Sequence, residues 1–289
     1  MNTAEVRLPG YASAKPALPL VPRGLPRLLS VLRDDQADLR EVVSVVHQFP
    51  PVVARVIGLA NSAWAAPRRP VTSLEEACSA IGLKVVRASC IALAVARVFN
   101  AQSCPQFEVK RFWCNALLSA EAATLARPHL AAEYDAGTCS SAGLLHNLGL
   151  LWLVHEWPAH ASQAFAARRR GEAQSLTAAL RLCIGTDHCE MGERLAKAWG
   201  LPDELTLAMR HHRAPDYRGP HARLVADVGW AAATAGELLG GSAQRTAEDR
   251  PLGPAGVPPD ALAEARTKLA AALTTIRELA DTLFATNGQ

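Results

Sequence analysis

Histidine is the residue type in this sequence that most directly suggests chemistry, because imidazole binds transition metals and exchanges protons near neutral pH. There are nine histidines in 289 residues. Several of them fall in an order, with neighbouring amide and acidic residues, that would suit a metal site: His146 with Asn147, His188, His211 with His212, and Asp227. In an all-helical protein, such a site is built from side chains on separate helices. The alternative is a set of hydrogen-bonded core histidines, which is the commoner role of a histidine on a helix.

The composition predicts the helices that such a site needs. Hydrophobic residues make up 49% of the chain and charged residues 20%, which is typical of a folded globular protein. Aromatic residues are scarce at 5%, and alanine and leucine dominate. Strands prefer β-branched and aromatic residues, whereas alanine and leucine favour helices. No alternating strand pattern and no fixed repeat occurs, so we predict an all-α fold.

Helical periodicity and capping residues place the predicted helices. Asp38 can cap one helix, and Ser73 with Glu76 has the spacing of a capping box. The predicted helices cover residues 25–35, 38–49, 52–64, 73–82, 83–100, 107–127, 136–155, 158–169, 174–184, 187–199, 203–212, 221–239 and 261–285.

The same pattern divides the chain into segments. Residues 1–21 are rich in Pro, Ala and Gly and are predicted to be a loose arm. Residues 22–239 form the predicted helical domain, with an N-terminal part at 22–105 and a second part at 106–239. Residues 240–260 are dense in Gly and Pro and predict a linker, and 261–289 hold a C-terminal helix.

Charge and cysteine content exclude several classes of protein. The net charge of +3 is too balanced to indicate nucleic-acid binding by bulk electrostatics. The N-terminus has no signal-peptide pattern, and no apolar run is long enough to predict membrane insertion. Seven cysteines without a CxxC pair are typical of a reduced protein. We therefore predict a cytoplasmic protein without a cofactor.

A long combination of motifs carries a family resemblance. It includes LANSAW at 59–64, VTSLEEACSAIGLKVV at 71–86, FW at 112–113, AGLLHNLGLLWL at 142–153 and DHCEMGERLAKAWGLPDELTLAMRHHRAP at 187–215. With these motifs, residues 22–230 resemble the HDOD family, the HD-related output domains of bacterial signalling proteins. The resemblance implies an HD-like helical bundle with an N-terminal helical subdomain. It also implies kinship with metal-dependent phosphohydrolases whose catalysis the HDOD family is regarded as lacking.

The resemblance further implies where metal ligands would stand. An early histidine of the hydrolases falls on Asn115, and their His-Asp doublet falls on His146-Asn147. Later ligands fall near His188, on His211 or His212, and near Asp227. Two expected ligands are therefore asparagine.

Asparagine is a poor replacement for these ligands. Its carboxamide has one neutral oxygen, whereas aspartate carries a negative charge and can bridge two cations. Without a metal, no group generates the activated water that phosphoester hydrolysis needs. We therefore expect no two-metal site. A single weakly held ion on His146, His188, His211 and Asp227 stays open, as does a purely structural polar cluster.

Short basic runs are further candidates for ligand binding. Arg68-Arg69 could contact an anion or a nucleotide, and Arg168-Arg169-Arg170 forms a second run. Solvated loops and faces are the simpler explanation of such runs.

Three functions follow from these observations. The first is a non-catalytic regulatory module of signal transduction that binds partner proteins. The second is a sensor that binds a nucleotide or a cyclic dinucleotide in the vestigial pocket. The third is a residual metal-dependent phosphohydrolase. The missing ligands favour the first, and we predict that the chain is not an enzyme.

Overall fold

A computed structural model describes residues 18–19, 21, 23–62, 64–126, 133–240 and 257–284. Most of the predicted arm and linker therefore lies outside the described residues. Within them, fourteen helices and no strand occur, which confirms the all-α prediction. The helices are α1 (Leu25–Arg33), α2 (Leu39–Val46), α3 (Pro50–Ala60), α4 (Leu74–Ile81), α5 (Leu83–Ala96), α6 (Val109–Ala126), α7 (Ala136–Leu145), α8 (Leu148–Glu156), α9 (Pro158–Arg169), α10 (Leu176–Ile184), α11 (His188–Ala198), α12 (Asp203–His211), α13 (Ala222–Leu238) and α14 (Pro259–Leu283).

Local sequence explains where several helices begin. The Asp38 carboxylate accepts a hydrogen bond from the Glu41 backbone N–H at 2.8 Å. The Ser73 hydroxyl accepts one from the Glu76 N–H at 3.1 Å, while the Glu76 carboxylate accepts from the Thr72 N–H at 2.7 Å. These bonds satisfy backbone donors that have no partner within the helix. The predicted caps of α2 and α4 are therefore present.

Helices α1 to α5 pack on one another and form the N-terminal part of the fold. Arg87 of α5 connects this helix to the segment between α1 and α2. Its buried guanidinium donates hydrogen bonds to the carbonyl oxygens of Asp34 at 2.6 Å and Ala37 at 2.8 Å. No single helix among the described residues is long and apolar enough to span a membrane. Helices α4 and α5 reach that length and composition only as a pair that bends by 119°.

Helix α6 is the centre of the second part, where it packs against α7, α13 and α14. Alanines on its buried faces leave little side-chain volume, so neighbouring helices approach closely. Helix α7 comes close to α6 at Gly143, where a Cβ atom would lie 2.5 Å from the Ser119 carbonyl oxygen. At Gly149 of α8, a Cβ would lie 2.0 Å from the His188 carbonyl oxygen. Gly143 and Gly149, the first and last residues of the segment GLLHNLG, are thus both sites of close backbone contact.

The continuous helix predicted over residues 136–155 is wrong. The chain leaves the helical path at His146 and Asn147, so that α7 ends at Leu145 and α8 begins at Leu148. Both halves are buried over most of their length, and neither proline nor a solvent-exposed polar face marks the break. The cause is tertiary packing, because α7 lies against α6 while α8 lies against α11.

Helix α14 begins at Pro259 and extends across α6. Phe284 at its end stacks on Trp113, with ring centroids 4.8 Å apart. The Arg55 guanidinium donates to the Leu283 carbonyl oxygen at 2.6 Å, and Arg266 forms an ion pair with Glu237 at 2.7 Å. The C-terminal helix is therefore attached to both parts of the fold.

Two glycine-to-alanine substitutions test the helix spacing. We expect Gly149→Ala to lower the free energy of unfolding by about 3 kcal/mol, because the new methyl group meets the backbone of α11 and overpacks the crossing. Gly236→Ala on α13 is the matched control, since its Cβ would meet only the Asn115 amide nitrogen at 3.9 Å. It should raise the unfolding free energy by about 0.5 to 1 kcal/mol through helix propensity. Urea unfolding measures both; equal effects of the two substitutions would contradict this packing.

Candidate functional site

Three histidines from three helix ends meet in the interior. His146 follows the last residue of α7, His188 is the first residue of α11, and His212 follows α12. Their exposed fractions are 1%, 1% and 6%. The ring centroids of His146 and His212 lie 5.0 Å apart, and those of His188 and His212 lie 5.7 Å apart. We call these three residues the histidine cluster.

Helix α11 holds His188 in place through its cap. The buried Asp187 carboxylate accepts hydrogen bonds from the backbone N–H groups of Cys189 at 2.8 Å and Glu190 at 2.9 Å. The Arg181 guanidinium binds the other carboxylate oxygen at 2.6 Å. Gly149 then lets α8 contact the His188 carbonyl directly. Asp187 is therefore a positioning residue for the cluster, and its signal in the sequence is an aspartate at the start of a predicted helix.

Backbone carbonyls fix the tautomers of two imidazoles. His146 Nδ1 lies 2.7 Å from the Gly143 carbonyl oxygen, and His212 Nδ1 lies 3.2 Å from the carbonyl oxygens of both Ala208 and Met209. A carbonyl only accepts hydrogen bonds, so each Nδ1 carries the proton and each Nε2 carries a lone pair. His212 Nε2 and His188 Nδ1 are buried, and neither has a hydrogen-bond partner within the described chain.

The imidazoles of the cluster are neutral at pH 7. Burial lowers the pKa of His146 to about 4 and the pKa of His188 to about 3, and it places that of His212 well below 6.5. The positive charge of Arg213 lowers all three pKa values further. Arg213 thus acts on the whole cluster, and its guanidinium disfavours any additional cation beside it.

Asp227 of α13 is buried, and no hydrogen bond from the described residues offsets the burial of its carboxyl group. Its side chain has no exposed surface, and neither carboxylate oxygen has a hydrogen-bond partner among the described residues. Burial therefore raises the pKa of Asp227 well above 3.8. Neither His146 nor Asn147 donates a hydrogen bond to this carboxyl group.

The donor atoms do not fit the metal site of an HD phosphohydrolase. Within the described residues, one group of three His, Cys, Asp or Glu side chains places its ligand atoms within 4.8 Å of one another, namely His188, Cys189 and His212. This group includes neither His146 nor Asp227. Burial also raises the pKa of the Cys189 thiol to about 12, so the thiol of this group is neutral in the metal-free protein. With Arg213 nearby, the charge balance opposes two-metal chemistry.

The two asparagines lie outside the cluster, in the wall of a cavity of about 530 Å³. Asn115 projects from α6 and Asn147 from the start of α8, and Arg213 lines the same cavity. The predicted set is therefore divided. His146, His188 and His212 come together in the interior and do not line the cavity, while Asn115 and Asn147 do.

Other sequence candidates stand apart from this centre. His211 is half-buried and stacks on Tyr217 with ring centroids 4.1 Å apart, so its neighbour His212 occupies the cluster instead. Arg68 and Arg69 are exposed between α3 and α4 and do not line the cavity. Arg168 and Arg169 at the end of α9 do line it.

Sequence reasoning missed Arg213 and Cys189 as members of this centre. Each directly follows a predicted ligand, Arg213 after His212 and Cys189 after His188. Adjacency to a candidate ligand was the available signal, although it does not specify on which side of a helix end a side chain lies.

The fold and the position of these residues can be compared with known proteins. The model of the HDOD domain matches residues 18–215. The chain belongs to the HDOD domain family. This match covers α1 to α12, so α13 and α14 extend beyond the HDOD model, although α13 contributes Asp227 and part of the cavity wall.

Similarity to solved structures extends beyond the residues that the family model matches. A crystal structure of a "Putative signal transduction protein" from Marinobacter aquaeolei VT8 is 25% identical with a TM-score of 0.79 and covers 92% of this chain and 60% of that one. A "Putative phosphohydrolase" from Shewanella amazonensis SB2B is 24% identical with a TM-score of 0.68, and the match covers 92% of this chain and 95% of that one. The latter likeness is one of fold alone.

An uncharacterized protein of Treponema pallidum (strain Nichols) is 23% identical over 219 residues. The match covers 74% of this HDOD chain and 41% of that protein. The chain therefore spans less than half the length of this curated relative.

The histidine cluster predicts acid sensitivity. Unfolded histidines take up protons near pH 6.5, whereas His146 and His188 take them up near pH 4 and pH 3 when folded. Their contribution to stability is thus complete above pH 6.5 and is lost as the pH falls towards 3, at up to about 1.4 kcal/mol per pH unit for each group.

His188→Asn removes one of these groups. Urea unfolding at pH 7, 6, 5 and 4 should show a shallower loss of unfolding free energy for His188→Asn than for the wild type. His47→Asn, at an exposed position after α2, is the control and should keep the wild-type slope. Identical slopes for all three proteins would mean that His188 is not buried in its neutral form.

Proposed function

We propose that this HDOD chain is a non-catalytic regulatory domain of signal transduction that acts by binding other proteins. The observation that supports it best is the charge at the centre of the domain. Three neutral, buried histidines lie within the influence of Arg213, and the two flanking positions where ligands would stand hold Asn115 and Asn147. A guanidinium supplies positive charge where a hydrolase of the HD type would hold metal.

A domain without metal-dependent hydrolysis must act in another way. In our proposal the domain lacks the metal-activated water that HD hydrolases use as the nucleophile on a phosphoester. A domain that performs no reaction can transmit a signal only through the free energy of its contacts with a partner. Family membership supports the same assignment, as does the name of the similar Marinobacter aquaeolei VT8 protein.

Metal content and turnover test the non-catalytic part of the proposal. We expect purified wild-type protein to hold far less than one metal ion per chain and to release no product from bis(p-nitrophenyl) phosphate in the presence of Mn²⁺ or Zn²⁺. The Asn115→His/Asn147→Asp variant should bind Mn²⁺ more tightly than the wild type, because it gains an imidazole and a carboxylate. Adding Arg213→Gln should tighten binding again by at least tenfold, since a cation is removed. Stoichiometric metal and turnover in the wild type would refute the proposal.

Partner binding is tested separately. Tagged full-length chain, crosslinked in lysate of its source cells, should recover the same protein in repeated experiments. That protein should re-form the complex when both components are purified and mixed. Failure to recover any partner that binds in purified form would contradict the protein-binding role and leave the conclusion on catalysis untouched.

A further inference from the structure

The cavity lined by Asn115 and Asn147 has the volume and the lining of a small-molecule site. Its volume of about 530 Å³ falls within the range of ligand pockets, which is roughly 300 to 1,000 Å³. It lies between α6, α9 and α13, and Asn147 at the start of α8 forms part of its wall.

Arginine dominates the charged side chains of the cavity wall. Four arginines line it, Arg111, Arg168, Arg169 and Arg213, against the two acids Glu108 and Glu237. The Glu237 side chain is only 6% exposed and pairs with Arg266 of α14 at 2.7 Å, so its charge is already balanced from outside the wall. Guanidinium groups bind phosphate through paired, charge-assisted hydrogen bonds. The cavity therefore favours an anionic ligand group of the phosphate type.

One side of the cavity is aromatic. Phe107 packs against Phe112 with ring centroids 5.4 Å apart and against Phe165 at 6.0 Å, and all three line the cavity. Leu150 and Leu176 continue this apolar surface. Aromatic side chains bind planar heterocycles by stacking, whichever base is present. A ligand with a flat ring would fit against this wall.

Two carboxamides supply donors and acceptors between these walls. Asn115 and Asn147 both line the cavity, and the Asn147 Oδ1 atom is buried without a hydrogen-bond partner in the described chain. A buried polar atom without a partner costs free energy that a ligand donor would recover. A carboxamide both donates and accepts, which matches the edge of a nucleobase.

We infer that this cavity is the input site of the domain and that it binds a nucleoside monophosphate. Arg168, Arg169 and Arg213 take the phosphate, the phenylalanine wall takes the base, and the two asparagines contact the base edge. The inference rests on the proposed function, because the bound nucleotide would be the signal that a regulatory domain transmits. It also gives Asn115 and Asn147 a role as binding residues.

The test is isothermal titration calorimetry of the full chain with the four ribonucleoside 5′-monophosphates, the four matching nucleosides and inorganic phosphate. At least one nucleotide should bind with one site per chain. Its nucleoside and inorganic phosphate should each bind at least tenfold more weakly. Absence of binding by all four nucleotides would overturn the inference, as would equal binding by phosphate alone.

Variants locate the binding to the cavity. Gly236→Met extends a side chain from α13 towards Asn115 and should abolish binding, while Gly236→Ala controls for folding of the helix. Arg213→Gln and Arg168→Gln should each weaken nucleotide binding at least tenfold. Arg68→Gln, at an exposed arginine outside the cavity, should leave binding unchanged. Wild-type affinity in the folded Gly236→Met variant would place the ligand elsewhere and overturn the inference.

Phosphate release, followed in the same samples, separates this inference from the proposed function. Nucleotide binding without release supports both. Release of phosphate from the bound nucleotide would refute the non-catalytic function while keeping the binding site. A chain that neither binds nor hydrolyses nucleotides would overturn the site and leave the non-catalytic function standing.

Discussion

The contact between the backbones of α8 and α11 at Gly149 determines the architecture of the centre. There is no room for a Cβ atom, because it would lie 2.0 Å from the His188 carbonyl oxygen and 2.4 Å from the Gly192 nitrogen. Helix α8 can reach this position only because the chain turns at His146 and Asn147 after α7 has packed on α6. The turn directs His146 into the interior and Asn147 to the cavity wall. The same contact fixes the first turn of α11, and with it His188.

Neutrality of the histidine cluster follows from this geometry. Three imidazoles are buried together, and the carboxyl group that could have balanced their protons, Asp227, has no hydrogen bond to any of them. The nearby positive charge belongs to Arg213, which disfavours both protonation and metal binding. The polar interactions available to a ligand are therefore found in the cavity, where arginines and carboxamides face an open volume. This division between a buried histidine cluster and a cavity lined by four arginines and two acids is the arrangement on which we base the proposed regulatory function.

Much of the fold could be predicted from the sequence, because helix caps and apolar periodicity are local signals. Asp38 and Ser73 marked their helix starts correctly, and the HDOD motifs identified the family. The break within residues 136–155 could not be predicted, since no local signal marks it and α7 and α8 are separated by the different helices on which they pack. The separation of the histidine cluster from Asn115 and Asn147 could not be predicted for the same reason. Adjacent residues such as His211 and His212, or His146 and Asn147, face different surroundings at a helix end, and the choice is made by tertiary packing.

We propose that the histidine cluster is a neutral packed centre that binds no metal ion. The most direct measurement is NMR spectroscopy of the full chain with ¹⁵N-labelled histidine side chains at pH 7, before and after one equivalent of Zn²⁺. We predict neutral rings for His146, His188 and His212, with the proton on Nδ1 in His146 and His212, and no change in their ¹⁵N shifts when Zn²⁺ is added. A protonated ring at pH 7, or a zinc-dependent shift of the Nε2 resonances of His146 and His212, would contradict the account.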